Sequence, residues 1–376
     1  MSKTQKEPLT AGYLYLNKKA VLLLKLLDLL THSFFKKRSK PDNINKILIV
    51  KPDHAGDVLM MTSILPFIKN TYPFCRIDVI CGSWSVEILT GNHYIRKIIQ
   101  LDHFMLNRDK VSFPAKFLRH TYGFLKALAM LRYEKYDAAF VLRAYGGNLI
   151  TLLRLGGVKY IAGHPTGGFS ALLDSKAVWR AGVHEVEHYL EVLRAAGIAG
   201  DANRFRYELY TEEAEEARVA KLIDSEIGGP FVVIHPGAGD RRKLLPAKSW
   251  TGIIEKIDMK YSVVFTGTSS EMPYFSEIQR KRDAVNLMGK LNIKELYLLY
   301  KRAACVFTVE SLSAHIGACA GVKTIVFCGG INDIAQWRPL GDNVVIIRKD
   351  IECSPCLNGC KDMDCMKDLA AVMSHS

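Results

Sequence analysis

The sequence predicts an α/β protein of two facing Rossmann-like domains, and three observations carry that prediction. Two apolar strands each run straight into a short glycine-containing loop and then a helix: Lys46-Ile47-Leu48-Ile49-Val50 into His54-Ala55-Gly56-Asp57-Val58, and Phe231-Val232-Val233-Ile234 into His235-Pro236-Gly237-Ala238-Gly239. After each of them, short β-rich runs alternate with helical periods, the pattern of a parallel sheet covered on both faces. The length, 376 residues at 49% hydrophobic content, is enough for two ordinary cores and long for one. A strand, glycine loop and helix in succession turn backbone N–H groups and a helix N-terminus toward the carboxyl edge of the sheet, where anionic ligands bind. Two such edges facing each other would form a cleft.

Taken in order, residues 1–45 form a lysine-rich extension. Leu22, Leu23, Leu24, Leu26, Leu27, Leu29 and Leu30 cover most of a helix there, and Lys25, Asp28 and His32 fall on one narrow polar stripe. With the basic flank Phe34-Phe35-Lys36-Lys37-Arg38-Ser39-Lys40-Pro41, this suits a helix lying in a membrane interface. A helix packed on the first domain fits the same pattern. The apolar run Val21 to Leu30 is broken by Lys25 and Asp28 and falls short of the roughly 18 to 20 residues that span a bilayer. No small-residue cleavage site follows it, so no signal peptide is read and a cytoplasmic protein is expected.

The first domain is expected over residues 46–210, with strands at Lys46–Val50, Arg76–Ile80, Asp137–Leu142 and Val158–Ala162. A polar, helical stretch over 211–229, ending in Gly228-Gly229-Pro230, reads as the linker region. The second domain, 230–350, continues with strands at Phe231–Ile234, Ser262–Thr266, Ala284–Leu287, Cys305–Val309, Thr324–Cys328 and Val344–Ile347. Cys75, Cys81, Cys305, Cys319 and Cys328 lie in or beside these apolar elements and read as reduced core residues. The other four cysteines crowd into a tail, 351–376.

The formal charge of +13 favours an acidic partner. No paired Cys/His finger and no aromatic Lys/Arg-Gly-Phe strand motif is present, which argues against nucleic acid and for an anionic membrane or a phosphorylated substrate.

The motifs then become specific. Ile47-Leu48-Ile49-Val50-Lys51, Gly56-Asp57-Val58 and Thr62-Ser63-Ile64-Leu65-Pro66 resemble the opening of the bacterial heptosyltransferases of glycosyltransferase family nine. His235-Pro236-Gly237-Ala238, Lys243 followed by Pro246-Ala247, the Leu287 to Leu296 segment with Gly289, and Trp337-Arg338-Pro339-Leu340-Gly341 agree in the same order, from Lys46 to Leu369. The resemblance implies the GT-B arrangement and an inverting, metal-independent transfer of heptose or a related sugar from a nucleotide diphosphate-sugar, ADP-heptose in this family. The acceptor it implies is an acidic, lipid-linked saccharide of the lipopolysaccharide core, met at the inner-membrane surface.

The resemblance assigns the work residue by residue. Asp57, at the start of the helix after the first loop, matches the general base, and a helix N-terminus keeps such a carboxylate ionised. From sequence alone, capping that helix is the commoner role of an Asp there. Lys243 matches the lysine on the donor diphosphate, offsetting charge on the leaving group, with Arg241 and Arg242 adjacent. His235 and Gly237 belong to the donor loop, and Glu271, after Thr266-Gly267, stands where the family places a glutamate on the donor ribose.

The run Glu310-Ser311-Leu312-Ser313-Ala314-His315 departs from the family pattern: Glu310 replaces an aspartate and Leu312 a glycine, while His315 is retained. On the acceptor side, Lys116, Arg119, His120, Lys126 and Arg132 lie on a helix near Pro114 to Tyr133, and Arg143 at a strand end is the preferred contact. In the tail, Cys353, Cys356, Cys360 and Cys365 are close enough to supply a structural tetrathiolate site for zinc or iron, away from the catalytic loops. Asp362 and Asp364 form an Asp-x-Asp pair inside that cluster and are read as incidental. Two rival readings stay open at this level: a nucleotide-sugar epimerase using His54, His235, Glu310 and His315, and a catalytically silent binding or assembly protein.

Overall fold

The structure, a computed structural model, describes residues 13–14, 18–107, 111–278, 283–349, 351–356, 360, 363–367 and 369. The chain divides into two compact units between Arg206 and Tyr207.

The first unit is built on strands β1 (Lys46–Val50), β2 (Arg76–Cys81), β3 (Ile95–Gln100), β4 (Ala138–Val141), β5 (Tyr160–Gly163) and β6 (Ser175–Lys176). All pair in parallel in the order β3-β2-β1-β4-β5-β6. Central β1 sets Ile47 beside Ile77 on one side and Ala138 on the other. Its uninterrupted apolar run is what a strand covered on both faces requires. The helices are α1 (Lys18–Phe34), α2 (Ala55–Thr62), α3 (Leu65–Thr71), α4 (Val86–Leu89), α5 (Phe113–Glu134), α6 (Gly147–Leu155) and α7 (Glu185–Ala195). From β1 to β3 the chain steps one way across the sheet and from β3 to β6 the other, so right-handed crossovers put α2, α3 and α4 on one face and α5 and α6 on the opposite one. The reversal falls between β1 and β4, and ligands bind at such a switch point.

Two of these strands escape the sequence reading. β3 (Ile-Arg-Lys-Ile-Ile-Gln) is an edge strand carrying Arg96 and Lys97, and both cations reach the buried Glu134 carboxylate at the end of α5, at 2.8 and 2.6 Å. β6 is only two residues long and pairs Ser175 with Ala162 and Lys176 with Gly163.

Helix α1 is docked on this unit in an unusual sense. Its acid, Asp28, accepts the Ser170 N–H at 2.7 Å and a bond from the Tyr13 hydroxyl, while Leu24 packs on Gly168, where any Cβ would meet it at 2.7 Å. Leu22, Leu23, Leu26, Leu29 and Leu30 point outward, each 52–70% exposed. Among the described residues no helix is long and apolar enough to cross a membrane.

The second unit repeats the plan with β7 (Phe231–His235), β8 (Ser262–Phe265), β9 (Ala284–Asn286), β10 (Cys305–Val309), β11 (Thr324–Cys328) and β12 (Val344–Arg348), parallel in the order β12-β11-β10-β7-β8-β9. Its helices are α8 (Glu213–Leu222), α9 (Ala247–Glu255), α10 (Met272–Ser276), α11 (Ile293–Arg302), α12 (Leu312–Ala320) and α13 (Ile334–Trp337). Residues 211–229, read from sequence as a linker, are largely α8 and the π-turn after it. Glu212 and Glu215 form a capping box at its start, and Arg218 reaches Glu295 and the Lys290 carbonyl across to α11. The segment's polarity is that of a surface helix. The tail also belongs to this unit: Cys365, Met366 and Leu369 are buried in the core with Trp250, Phe327 and Ile347. Cys75, Cys81 and Cys328 are buried free thiols, and Cys305 and Cys319 are half-buried ones.

Candidate functional site

In the first unit the loop after β1 is held by a row of paired charges. Lys51, only 2% exposed, cannot be left alone at such depth. Its ammonium lies 3.0 Å from Asp53, 3.3 Å from Glu185 and 3.1 Å from the Leu142 carbonyl, over the ring of Tyr189 at 4.7 Å. Asp53 also pairs with Arg143 at the end of β4, and the Trp84 indole N–H donates to its carbonyl at 2.8 Å. Beyond Glu185, His188 closes the row, its Nδ1 at 3.2 Å from Glu185 and its Nε2 at 2.9 Å from the Arg180 carbonyl.

This network fixes the loop that leads into α2. Asp57 sits there at the third helical position, half-buried, with its carbonyl accepting a bond from the Tyr189 hydroxyl at 3.3 Å. The N-cap place belongs to His54, whose side chain makes no cap bond.

In the second unit, four loops at the carboxyl ends of β7, β8, β10 and β11 bring the anticipated donor residues together. Gly237 lies so close to Glu271 that a Cβ at that position would stand 2.1 Å from Oε1 and would have to displace the carboxylate. The Glu271 carboxylate is held from its other side by the Thr268 N–H at 2.7 Å and the Thr268 hydroxyl at 3.0 Å. His235 Nδ1 is 3.1 Å from the Thr266 hydroxyl, which continues through Tyr300 (3.4 Å) to Ser313 (2.7 Å) and ties β7 and β8 to α11 and α12. Burial holds the His235 ring below the usual histidine range, against the pull of the Glu271 carboxylate.

Glu310 follows β10 directly and is 5% exposed. The Lys243 ammonium is 3.2 Å from its Oε1, and the Asn332 amide donates to the same oxygen at 2.5 Å. Ser311 is the N-cap of α12, and its buried hydroxyl has no hydrogen-bond partner among the described residues. His315 lies one turn into α12, its ring 6.1 Å from that of Tyr207. Arg242 is turned to its own loop, where it grips Asp240 with Nε at 3.0 Å and a terminal nitrogen at 2.7 Å.

The tetrathiolate expected in the tail is not formed. Among the described residues no three His, Cys, Asp or Glu side chains are grouped to hold a metal ion. Cys353 and Cys356 lie 3.6 Å apart, but Cys360 accepts the Met363 N–H at 3.3 Å and Cys365 is drawn into the apolar core, where it accepts the Gly330 N–H at 3.2 Å. The tail is also not remote from the donor loops. Cys356 N–H donates to the Gly330 carbonyl at 2.6 Å, two residues before Asn332. Asp364 pairs with Lys367 at 2.7 Å, and Asp362 lies outside the described residues.

Lys51, Asp53, Glu185 and Asn332 are among the residues of these clusters that have no role in the sequence reading. Lys51 carries a legible signal, since a lysine that ends a strand of otherwise buried residues has to be paired. Asn332 gives none, because only the fold brings the loop after β11 beside Glu310.

Two parallel six-stranded sheets, each with a glycine loop at a carboxyl edge, and a lysine paired beside a helix N-terminus in the second, are the equipment of an enzyme that handles a nucleotide-linked substrate. The sequence profile of Glycosyltransferase family 9 (heptosyltransferase) matches residues 128–367, and the chain belongs to that family. It is 26% identical over 328 residues to the lipooligosaccharide heptosyltransferase 2 of Haemophilus influenzae, covering 80% of this chain and 88% of that protein. It is 23% identical over 306 residues to the lipopolysaccharide heptosyltransferase 3 of Escherichia coli K12, covering 78% and 84%. The fold matches that of the E. coli heptosyltransferase WaaC solved with ADP, with a TM-score of 0.67 at 16% identity, over 88% of this chain and 98% of that one. The chain is therefore a GT-B glycosyltransferase, and these likenesses favour neither the epimerase nor the silent binding protein.

Proposed function

We propose that this protein transfers a heptose from ADP-heptose, or a closely related nucleotide diphosphate-sugar, to a lipid-linked core saccharide, with inversion at the anomeric carbon. The observation that carries the reading is the Lys243–Glu310–Asn332 cluster at the carboxyl ends of β10 and β11, in a chain whose relatives are named for heptose transfer. Asp57 takes the proton from the acceptor hydroxyl as its oxygen attacks the anomeric carbon. The bond from that carbon to the diphosphate breaks with its electrons passing to the phosphate oxygen, and Lys243 meets the charge that develops there. Glu271, Gly237 and His235 hold the nucleotide end, Ser311 and His315 the α12 N-terminus, Arg242 supplements the phosphate contact, and Arg143 serves the acceptor.

Such an acceptor lies at the inner membrane, and the outward leucines of α1 with the basic stretch behind it support a peripheral position on its cytoplasmic face. The test is incubation with ADP-heptose and a truncated lipopolysaccharide. Release of ADP with a product heavier by one heptose is expected, and Asp57→Asn should lower turnover by about 10²–10⁴-fold while donor affinity stays within a few-fold. An isomerised sugar nucleotide, or binding with no turnover, would overturn the reading.

A further inference from the structure

Helix α5 is apolar on two faces. Toward the sheet it buries Ala127 and Leu131, with His120 and Glu134 completing the inner stripe. Away from the sheet it exposes Leu118, Tyr122 and Leu125, each 59–70% accessible, on one ridge at i, i+4 and i+7, with Phe117 on the flank, its ring 5.9 Å from that of Phe104. A helix in water carries polar residues on its free face, and an apolar patch of this size marks a binding surface.

The charges interspersed on that face have one sign. Arg119, Lys126 and Arg132 are exposed along α5, and its one acid, Glu134, is turned inward to Arg96 and Lys97. In α1 the pattern recurs: Lys18, Lys19 and Lys25 are exposed beside the outward leucines, and Asp28 is turned inward to Ser170. The two helices are joined through one run of packed elements. Helix α1 packs on the turn Ser170–Leu172, that turn packs on α6, and α6 packs on α5.

We propose that α5 is a second membrane-docking element, and that it and α1 form one continuous surface seated on an anionic bilayer; this rests on the interfacial reading of α1. Outward apolar side chains with only cations between them fit lipid headgroup phosphates with acyl chains beneath. Phe117 and Tyr122 are of the aromatic type that settles at the boundary between headgroups and chains. A second copy of this chain would set the same cations against each other, so the bilayer is the complementary occupant.

The experiment uses the full chain and vesicles of phosphatidylglycerol and phosphatidylethanolamine, with phosphatidylcholine vesicles as control. One variant carries Leu118→Glu, Tyr122→Glu and Leu125→Glu; a second carries Leu22→Glu, Leu26→Glu and Leu29→Glu. The α5 variant should lose at least tenfold in partitioning onto anionic vesicles with α1 intact, keep its thermal unfolding transition, and keep its turnover on a delipidated acceptor. The indole introduced by Tyr122→Trp in the otherwise unaltered chain should be quenched by brominated acyl chains, which reads insertion without disturbing the fold. Should the α5 variant bind like the unaltered chain and the introduced indole stay unquenched while the α1 variant is released, α1 is the sole anchor and this proposal fails alone. If the unaltered chain ignores anionic vesicles, both it and the interfacial reading of α1 fail. A dimer that the α5 variant dissociates, with vesicle binding unchanged, would assign the face to a second copy and overturn the proposal.

Discussion

Lys243→Met tests the pairing at the centre of the proposed donor site. Glu310 has two partners, the Lys243 ammonium at 3.2 Å and the Asn332 amide at 2.5 Å, and the lysine side chain keeps 20% of its surface in water. Breaking a fully buried pair costs about 3–5 kcal/mol because the surviving charge is stranded. Here Asn332 still holds the carboxylate and water reaches the lysine, so the cost should fall to about 2 kcal/mol. For a unit of this size about 2–4 °C of Tm accompanies each kcal/mol, and the transition of the second unit should drop by roughly 4–8 °C. Adding Glu310→Gln removes the stranded charge and should return more than half of the loss, a coupling of about 1–1.5 kcal/mol in the double-mutant cycle. Calorimetry of the four proteins reads the coupling, and titration with ADP alongside turnover reads the function. Lys243→Met should weaken donor binding and reduce kcat/KM by about 10²–10³, as for loss of a donor to developing charge. Additive effects with a coupling below about 0.5 kcal/mol would show that the two charges do not pair in solution, and an unaltered rate would move the phosphate contact to Arg241 or Arg242.

Gly237→Ala should force the Glu271 carboxylate out of its place, since the new methyl would lie 2.1 Å from Oε1; a cost of about 1–3 kcal/mol is expected, with ADP affinity falling about tenfold by titration calorimetry, and unchanged affinity would remove Glu271 from the donor site. His164 is buried with its Nε2 on the His188 carbonyl, and burial, reinforced by the nearby His188, pushes its pKa down from 6.5 to about 4. Between those values the unfolded chain binds a proton that the folded one refuses, so stability should rise with pH across the window and be lost below it, by about 2–3 kcal/mol near pH 4. Urea denaturation at pH 7 and pH 4.5 measures the loss, which should shrink in His164→Gln; an equal loss in that variant would place the sensitive group elsewhere.

The central strands were legible because burial on both faces leaves an unbroken apolar run, as in Ile47 to Val50 and Phe231 to Ile234. Edge strands have one free side and need no such run: β3 carries Arg96 and Lys97 in its middle, and their meaning depends on Glu134, 37 and 38 residues away. The two glycine loops were legible for the same reason as the strands they follow, and the closeness of Gly237 to the Glu271 carboxylate shows only in the fold. Asn332, Asp53 and Glu185 were out of reach because their partners come from other strands and helices. The tail expectation stays without support: among the described residues Cys353 and Cys356 lie 3.6 Å apart, but no three potential ligands are grouped. Helix α1 offered two readings from one pattern; Asp28 docks it on the first unit, as the packed reading expects, and the outward leucines leave the interfacial reading a proposal.

The short edge strands have a consequence for life at a crowded surface. A sheet edge is an open row of N–H and C=O groups that another chain can extend, and the hazard grows with the length of the row and the local concentration. Three of the four edges are brief or charged, namely two-residue β6, three-residue β9, and β3 with Arg96 and Lys97; the fourth, β12, runs five residues from Val344 and is apolar up to Arg348. An enzyme gathered onto a lipid sheet meets its neighbours far more often than one diluted through a volume. On the proposed membrane seat, β12 is the edge that such contact would extend, while the other three offer little template for intermolecular ladders.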